Sequence, residues 1–126
     1  MSYRSQVCLA VPLQKYVNLL RTLKAQRRLD VIALLRGYSK KYTAFIPHRY
    51  TVQASDNTPW VIVHWASAKW DPQYDNAVYF IEKWLYEQTE YQFSRAGEDV
   101  DDREDNVKSN CDPLFMTWAD SGIDIF

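Results

Sequence analysis

The segment Trp60-Val-Ile-Val-His-Trp-Ala66 is apolar at odd and even positions alike. Side chains alternate between the two faces of a strand, so a strand of this kind is buried on both sides. It reads as the central strand of a sheet with cover on each face. The tryptophans sharpen that constraint. Trp60, Trp65 and Trp70 recur every five residues, and an odd spacing sends successive ones to opposite faces. At least one must lie away from the main core, either beneath a C-terminal strand or at an interface, where exposed Trp is a favoured anchor.

The flanking segments supply the rest of a sheet. Residues 4–12 read as a buried strand ended by Pro12. Leu13, Tyr16, Val17, Leu20 and Leu23 then follow helical spacing, with Lys15, Arg21 and Lys24 outside the stripe. Asp30 is placed to cap a second short helix over 31–36, and Gly37 to stop it. Residues 42–46 and 50–53 look like two pieces of one strand broken near Pro47, and 55–59 carry turn chemistry. After a turn at Asp71-Pro72, Ala77, Val78, Ile81, Trp84, Leu85 and Gln88 form the apolar face of a third helix. Asp75 is its N-cap, and Glu82, Glu87 and Glu90 lie on its outer face. Residues 91–95 alternate like a strand, 97–112 form a polar, acidic connector, and 114–119 and 122–126 resume strand character, with Trp84 and Trp118 reading as core. This order predicts an α+β fold: a single, mostly antiparallel sheet with helices on one face. The simplest version is a ferredoxin-like or split βαβ arrangement with an added C-terminal strand.

Length and composition narrow the class. A chain of 126 residues is in the usual range for one domain and can bury a real core. Five Trp, nine Tyr and five Phe exclude a disordered chain, and three glycines leave no glycine-rich phosphate loop. Cys8 lies in the apolar first strand and Cys111 in a loop, read as exposed; reduced thiols are expected. No secretory signal pattern and no apolar run of about 18 residues is visible, which leaves a cytoplasmic protein without a membrane partner.

Charge is split along the chain. Residues 1–49 hold ten Lys/Arg and one acid, whereas residues 50–126 hold five bases and fifteen acids. Such asymmetry points to an electrostatic partner or to the chain's own other half. The densest feature is Glu98-Asp-Val-Asp-Asp-Arg-Glu-Asp105, with six carboxylates in eight residues. Three readings apply: a solvated hairpin loop whose like charges discourage edge association, a phosphate-mimicking surface for a basic partner, and a divalent-cation site of hard oxygen ligands. The EF-hand pattern fails, because Arg103 takes a ligand position and no glycine permits the sharp turn. The basic set of Lys15, Arg21, Lys24, Arg27, Arg28, Arg36, Lys40 and Lys41 is a solvated helix face or a phosphate footprint, with Tyr38 and Tyr42 interleaved for stacking. His64, inside an apolar strand, reads as a packed, hydrogen-bonded residue. Neither histidine has a spacing to Cys8 or Cys111 that marks a zinc site or a nucleophile pair. No catalytic, cofactor or metal residue is therefore assigned.

Four stretches carry a resemblance. They are Tyr3-Arg-Ser-Gln-Val-Cys-Leu-Ala-Val11; His64-Trp-Ala-Ser-Ala-Lys-Trp70 with Tyr74-Asp75 and the helix Val78-Tyr-Phe-Ile-Glu82; Phe93-Ser-Arg-Ala-Gly-Glu-Asp-Val-Asp-Asp102; and Ile123-Asp-Ile125. Together they resemble small uncharacterised proteins of tailed bacteriophages. Those carry a Tyr-x-Ser-x-Val strand, a Trp-x-x-x-Lys-Trp strand end and an Arg-x-Gly-Glu-Asp-x-x-Asp acidic hairpin. The family has no assigned activity, so the resemblance implies a setting, an accessory protein in bacterial cytoplasm, and carries over no site. The expected function is non-enzymatic binding of a host protein or complex, in counter-defence or host takeover. Glu98, Asp99, Asp101, Asp102, Glu104 and Asp105 would make the first contact surface, with Arg27 and Arg28 the second. Nucleic-acid binding through the basic helices is the alternative, and a metal-dependent activity built on the acids is the third reading. If basic and acidic helices pack side by side on one sheet face, part of the asymmetry becomes internal complementarity or a homodimer surface.

Overall fold

A computed structural model describes residues 4–37, 47–99, 101–109, 111–118 and 122–125, the strand residues 116–118 and 122–125 by backbone alone. Strands β1 (Ser5–Pro12), β2 (His48–Gln53), β3 (Pro59–Ala68), β4 (Tyr91–Ala96) and β5 (Arg103–Lys108) form one sheet in the order β2-β3-β1-β4-β5. Every pairing in it is antiparallel. Helices α1 (Leu13–Ala25) and α2 (Leu29–Arg36) connect β1 to β2, and α3 (Asn76–Tyr86) connects β3 to β4. Each helical connection joins two strands of the same direction and leaves room for one strand between them. This is the split βαβ, ferredoxin-like order, with β5 appended beside β4.

Strand alternation divides the core in two. Val7, Leu9 and Val11 of β1, Val61, Val63 and Trp65 of β3, and Phe93 of β4 face the helices. They meet Tyr16, Leu19 and Leu23 of α1, Val31, Leu34 and Leu35 of α2, and Ala77, Val78, Ile81 and Leu85 of α3. The Trp65 indole N–H donates to the Leu34 carbonyl at 3.0 Å, tying β3 to α2. Cys8, Ala10, Trp60 and Ile62 point the other way, where they are covered by Cys111, Leu114 and Phe115. Trp60 and Trp65 thus occupy opposite faces, as their odd spacing requires. Trp70, past the end of β3, returns to the helix side and packs on Trp65 with ring centroids 5.0 Å apart.

Several local expectations hold. The Asp75 carboxylate accepts hydrogen bonds from the amides of Ala77 and Val78 at 2.9 and 3.2 Å, and Gly37 ends α2 with φ 75°. Others are corrected. The N-cap position of α2 is Arg28; Asp30 sits in the first turn, where it accepts from the Arg28 guanidinium. The presumed connector contains β5, and the added strand of the sheet is β5 rather than a C-terminal one. The last segments, β6 (Phe115–Trp118) and β7 (Gly122–Ile125), form a separate antiparallel pair packed against β1 and β4. Cys111 is buried in this second layer. The strand expected over 42–46, and the stacking expected of Tyr38 and Tyr42 beside Lys40 and Lys41, lie outside the described residues.

Candidate functional site: an acidic hairpin and a groove across the helices

The six carboxylates lie on the β4–β5 hairpin. Its turn is closed by Gly97 N–H donating to the Asp102 carbonyl at 2.7 Å and Asp102 N–H donating to the Asp99 carbonyl at 3.0 Å. Register places Arg95 opposite Glu104 and Ser94 opposite Asp105. Arg95 is the hub. Its guanidinium grips Asp102 in a fork at 2.6 and 3.2 Å, and its Nε donates to Glu104 at 3.0 Å. One Nη also donates to Ser5 Oγ of β1 at 3.1 Å. The paired carboxylates of Asp102 and Glu104 push the Arg95 pKa up against the cost of burial, so it stays charged throughout the accessible pH range. On the opposite sheet face, Ser94 donates to Asp105. Glu98 accepts from the Arg4 amide at 2.7 Å, fastening the turn to the start of the chain.

The hairpin therefore separates its acids. Asp102, Glu104 and Asp105 are held by β4 side chains, while Glu98, Asp99 and Asp101 are exposed at the turn. Among the described residues, no three His, Cys, Asp or Glu side chains group in a way that holds a metal ion. Alternation in β5 is legible only against its partner strand, because all six of its residues are exposed and none marks a buried face.

Arg27 and Arg28 sit far along the chain from these acids, in the link between α1 and α2. Arg28 N–H donates to the Leu23 carbonyl at 2.9 Å, closing the last turn of α1, and Arg27 takes a left-handed φ of 56° where glycine is usual. Arg27 is exposed. Arg28 is half-buried, pairs with Asp30 at 3.1 Å, and lies over the Phe80 ring at 4.8 Å from its centroid. That guanidinium holds the Asp30 carboxyl below the usual range.

Sequence reasoning missed what Arg28 borders. A groove of about 650 Å³ runs between α2 and α3, with Arg28 and Asp30 on one side and Tyr79, Phe80, Lys83 and Trp84 on the other. It continues into a hollow of about 300 Å³ between α1 and α3, lined in part by Lys15, Leu19 and Thr22. Phe80 and Trp84 floor both halves. Trp84 is thus half-buried rather than core. The signal was available in the unusually wide apolar face of α3, where Phe80 and Trp84 widen the stripe of Ala77, Val78, Ile81 and Leu85.

Two titratable groups depart from expectation. Glu82, read as an outer-face residue, is half-buried on α3; burial, reinforced by Glu104 of β5, raises its pKa. Neighbouring Tyr86 is pushed up to about 12 by burial and then by Glu82. His64 was expected to be hydrogen-bonded, but its Nε2 is buried without a partner among the described residues. Burial lowers its pKa, and His48, directly across on β2, adds to the effect. On its other side His64 pairs with Cys8, whose thiol is raised by burial and held unreactive.

Comparison with protein-family models, curated proteins and solved structures finds no match for this chain. Among the described residues, no helix is long and apolar enough to cross a membrane.

Proposed function

We propose that this chain is a non-enzymatic binding protein that docks to a host protein or complex through the turn of its acidic hairpin, in the phage setting its sequence resemblance implies. The single observation that supports the reading is the bracing of that hairpin by Arg95. A loose acidic loop loses conformational freedom when it binds; a turn pinned to Ser5, Asp102 and Glu104 presents its charges already ordered. Glu98, Asp99 and Asp101 then form a compact negative tip, which speeds and orients encounter with a basic surface. Asp102, Glu104 and Asp105 serve as its frame. Counter-defence and host takeover both suit such a surface, and the bacterial cytoplasm is where it would act.

The test is capture from bacterial lysate with two variants. Neutralising the tip (Glu98→Gln, Asp99→Asn, Asp101→Asn) should abolish capture of the partner while the fold, read by circular dichroism, is kept. Arg95→Ala should weaken capture by freeing the frame. Recovery of no partner, or capture indifferent to the tip substitutions, overturns the reading.

A further inference from the structure

The groove over the helices has a different character from the hairpin. Its floor is aromatic, and Tyr79 at its lip is 54% exposed. Clustered aromatic surface of this kind is typical of the anchoring centre of a protein interface. Charge decides what fits. At the start of α3 the Asp75 carboxylate already accepts from the Ala77 and Val78 amides, so a phosphate there would have to displace it. Arg28 and Asp30 offset each other, and the remaining positive charge lies along the walls. Lys15 borders the α1 half and Lys83 the α2 half; both are exposed, and neither has an ion-pair partner among the described residues. Glu87 has the opposite sign at the far end of α3, which confines acceptable carboxylates to the neighbourhood of the two lysines.

We infer that the groove takes an acidic amphipathic helix of a partner protein, its apolar anchors seated on Phe80 and Trp84 and its carboxylates against Lys15 and Lys83. Recognition of an apolar helix face by a hydrophobic groove needs anchors spaced one turn apart, and a floor shared by two adjoining hollows supplies two such seats. The partner's acids give register and specificity; its apolar face gives the affinity. This site is independent of the hairpin and opposite to it in charge.

A display library of amphipathic helical peptides tests it, with leucine and tryptophan on the apolar face and the polar face varied freely between Glu and Lys. Selection against the full chain should enrich acidic peptides. Tyr79→Ala, at an exposed lip, should weaken the best of them about tenfold, and Lys15→Glu with Lys83→Glu should reverse the selection toward basic peptides. Neutralising Glu98, Asp99 and Asp101 should leave peptide binding unchanged, so that failure of the hairpin reading and failure of this one are told apart. Enrichment of basic peptides, absence of any enrichment over scrambled sequences, or binding indifferent to both groove variants overturns the inference. So does tight binding of a labelled single-stranded oligonucleotide that the lysine reversals abolish.

Discussion

A carboxylate that leaves water without gaining a full cationic partner is costly when charged, and Glu82 is in that position. Arg95, whose charge acts on it most weakly among the causes, is already engaged by Asp102 and Glu104, and Glu104 adds repulsion. Because the folded-state pKa of Glu82 stands above its usual value, folding favours the protonated form. The contribution is fully present below the unfolded-state pKa and is lost as pH rises through the folded one. Glu82→Gln should therefore raise stability at neutral pH and have little effect near pH 4, which paired thermal melts at the two pH values would reveal. An equal effect at both would contradict the placement. Residue-scale features were legible where they depend on neighbours in sequence. Asp75 caps α3 and Gly37 ends α2 through backbone geometry that a few residues determine. Glu82 was misread because its surroundings include Glu104 of β5, which no local pattern of α3 encodes, whereas the place of Trp84 showed in the breadth of the α3 apolar face.

At the scale of elements, the helices and inner strands announce themselves by periodicity, and β5 does not. An edge strand exposed along its length has no apolar alternation to display. It is held by the β4 ladder and by cross-strand pairs such as Arg95 with Glu104 and Ser94 with Asp105. Its charges also guard the open edge against pairing with another chain. The C-terminal layer depends on a different device. Gln92, 1% exposed on β4, donates to the Asp112 carbonyl at 3.2 Å and accepts from the Leu114 amide at 2.8 Å. A single amide thus fastens the covering segment to the sheet. Gln92→Leu leaves the buried Leu114 amide without that acceptor and should cost about 1–3 kcal/mol in denaturant unfolding. Unchanged stability would mean the layer is held by apolar contacts alone.

Across the whole molecule, the charge split does not resolve into one half neutralising the other through the ion pairs described. Arg28 pairs with Asp30 within the first half, and Arg95 with Asp102 and Glu104 within the second. These pairs stay within their own half, and the basic helices and the acidic hairpin are distinct parts of the fold. The two-faced burial of β3 was legible in its sequence; what covered its second face was only half so, because the segment before β6 carries few apolar residues. Removing that cover offers a direct measure of its worth. A chain ending at Lys108 should keep its helices by circular dichroism, bind a hydrophobic dye at the exposed Trp60 face, and leave Cys8 open to alkylation. A truncated chain that binds no dye and protects Cys8 would mean the face closes by other means. The same geometry sets an order of events during synthesis. Cys8 and Ala10 belong to β1, yet Leu114 and Phe115, which shelter them, are translated long after it. Until those residues are in place the Trp60 side of the sheet stays wet, a sticky surface of the kind chaperones hold and the folded molecule covers.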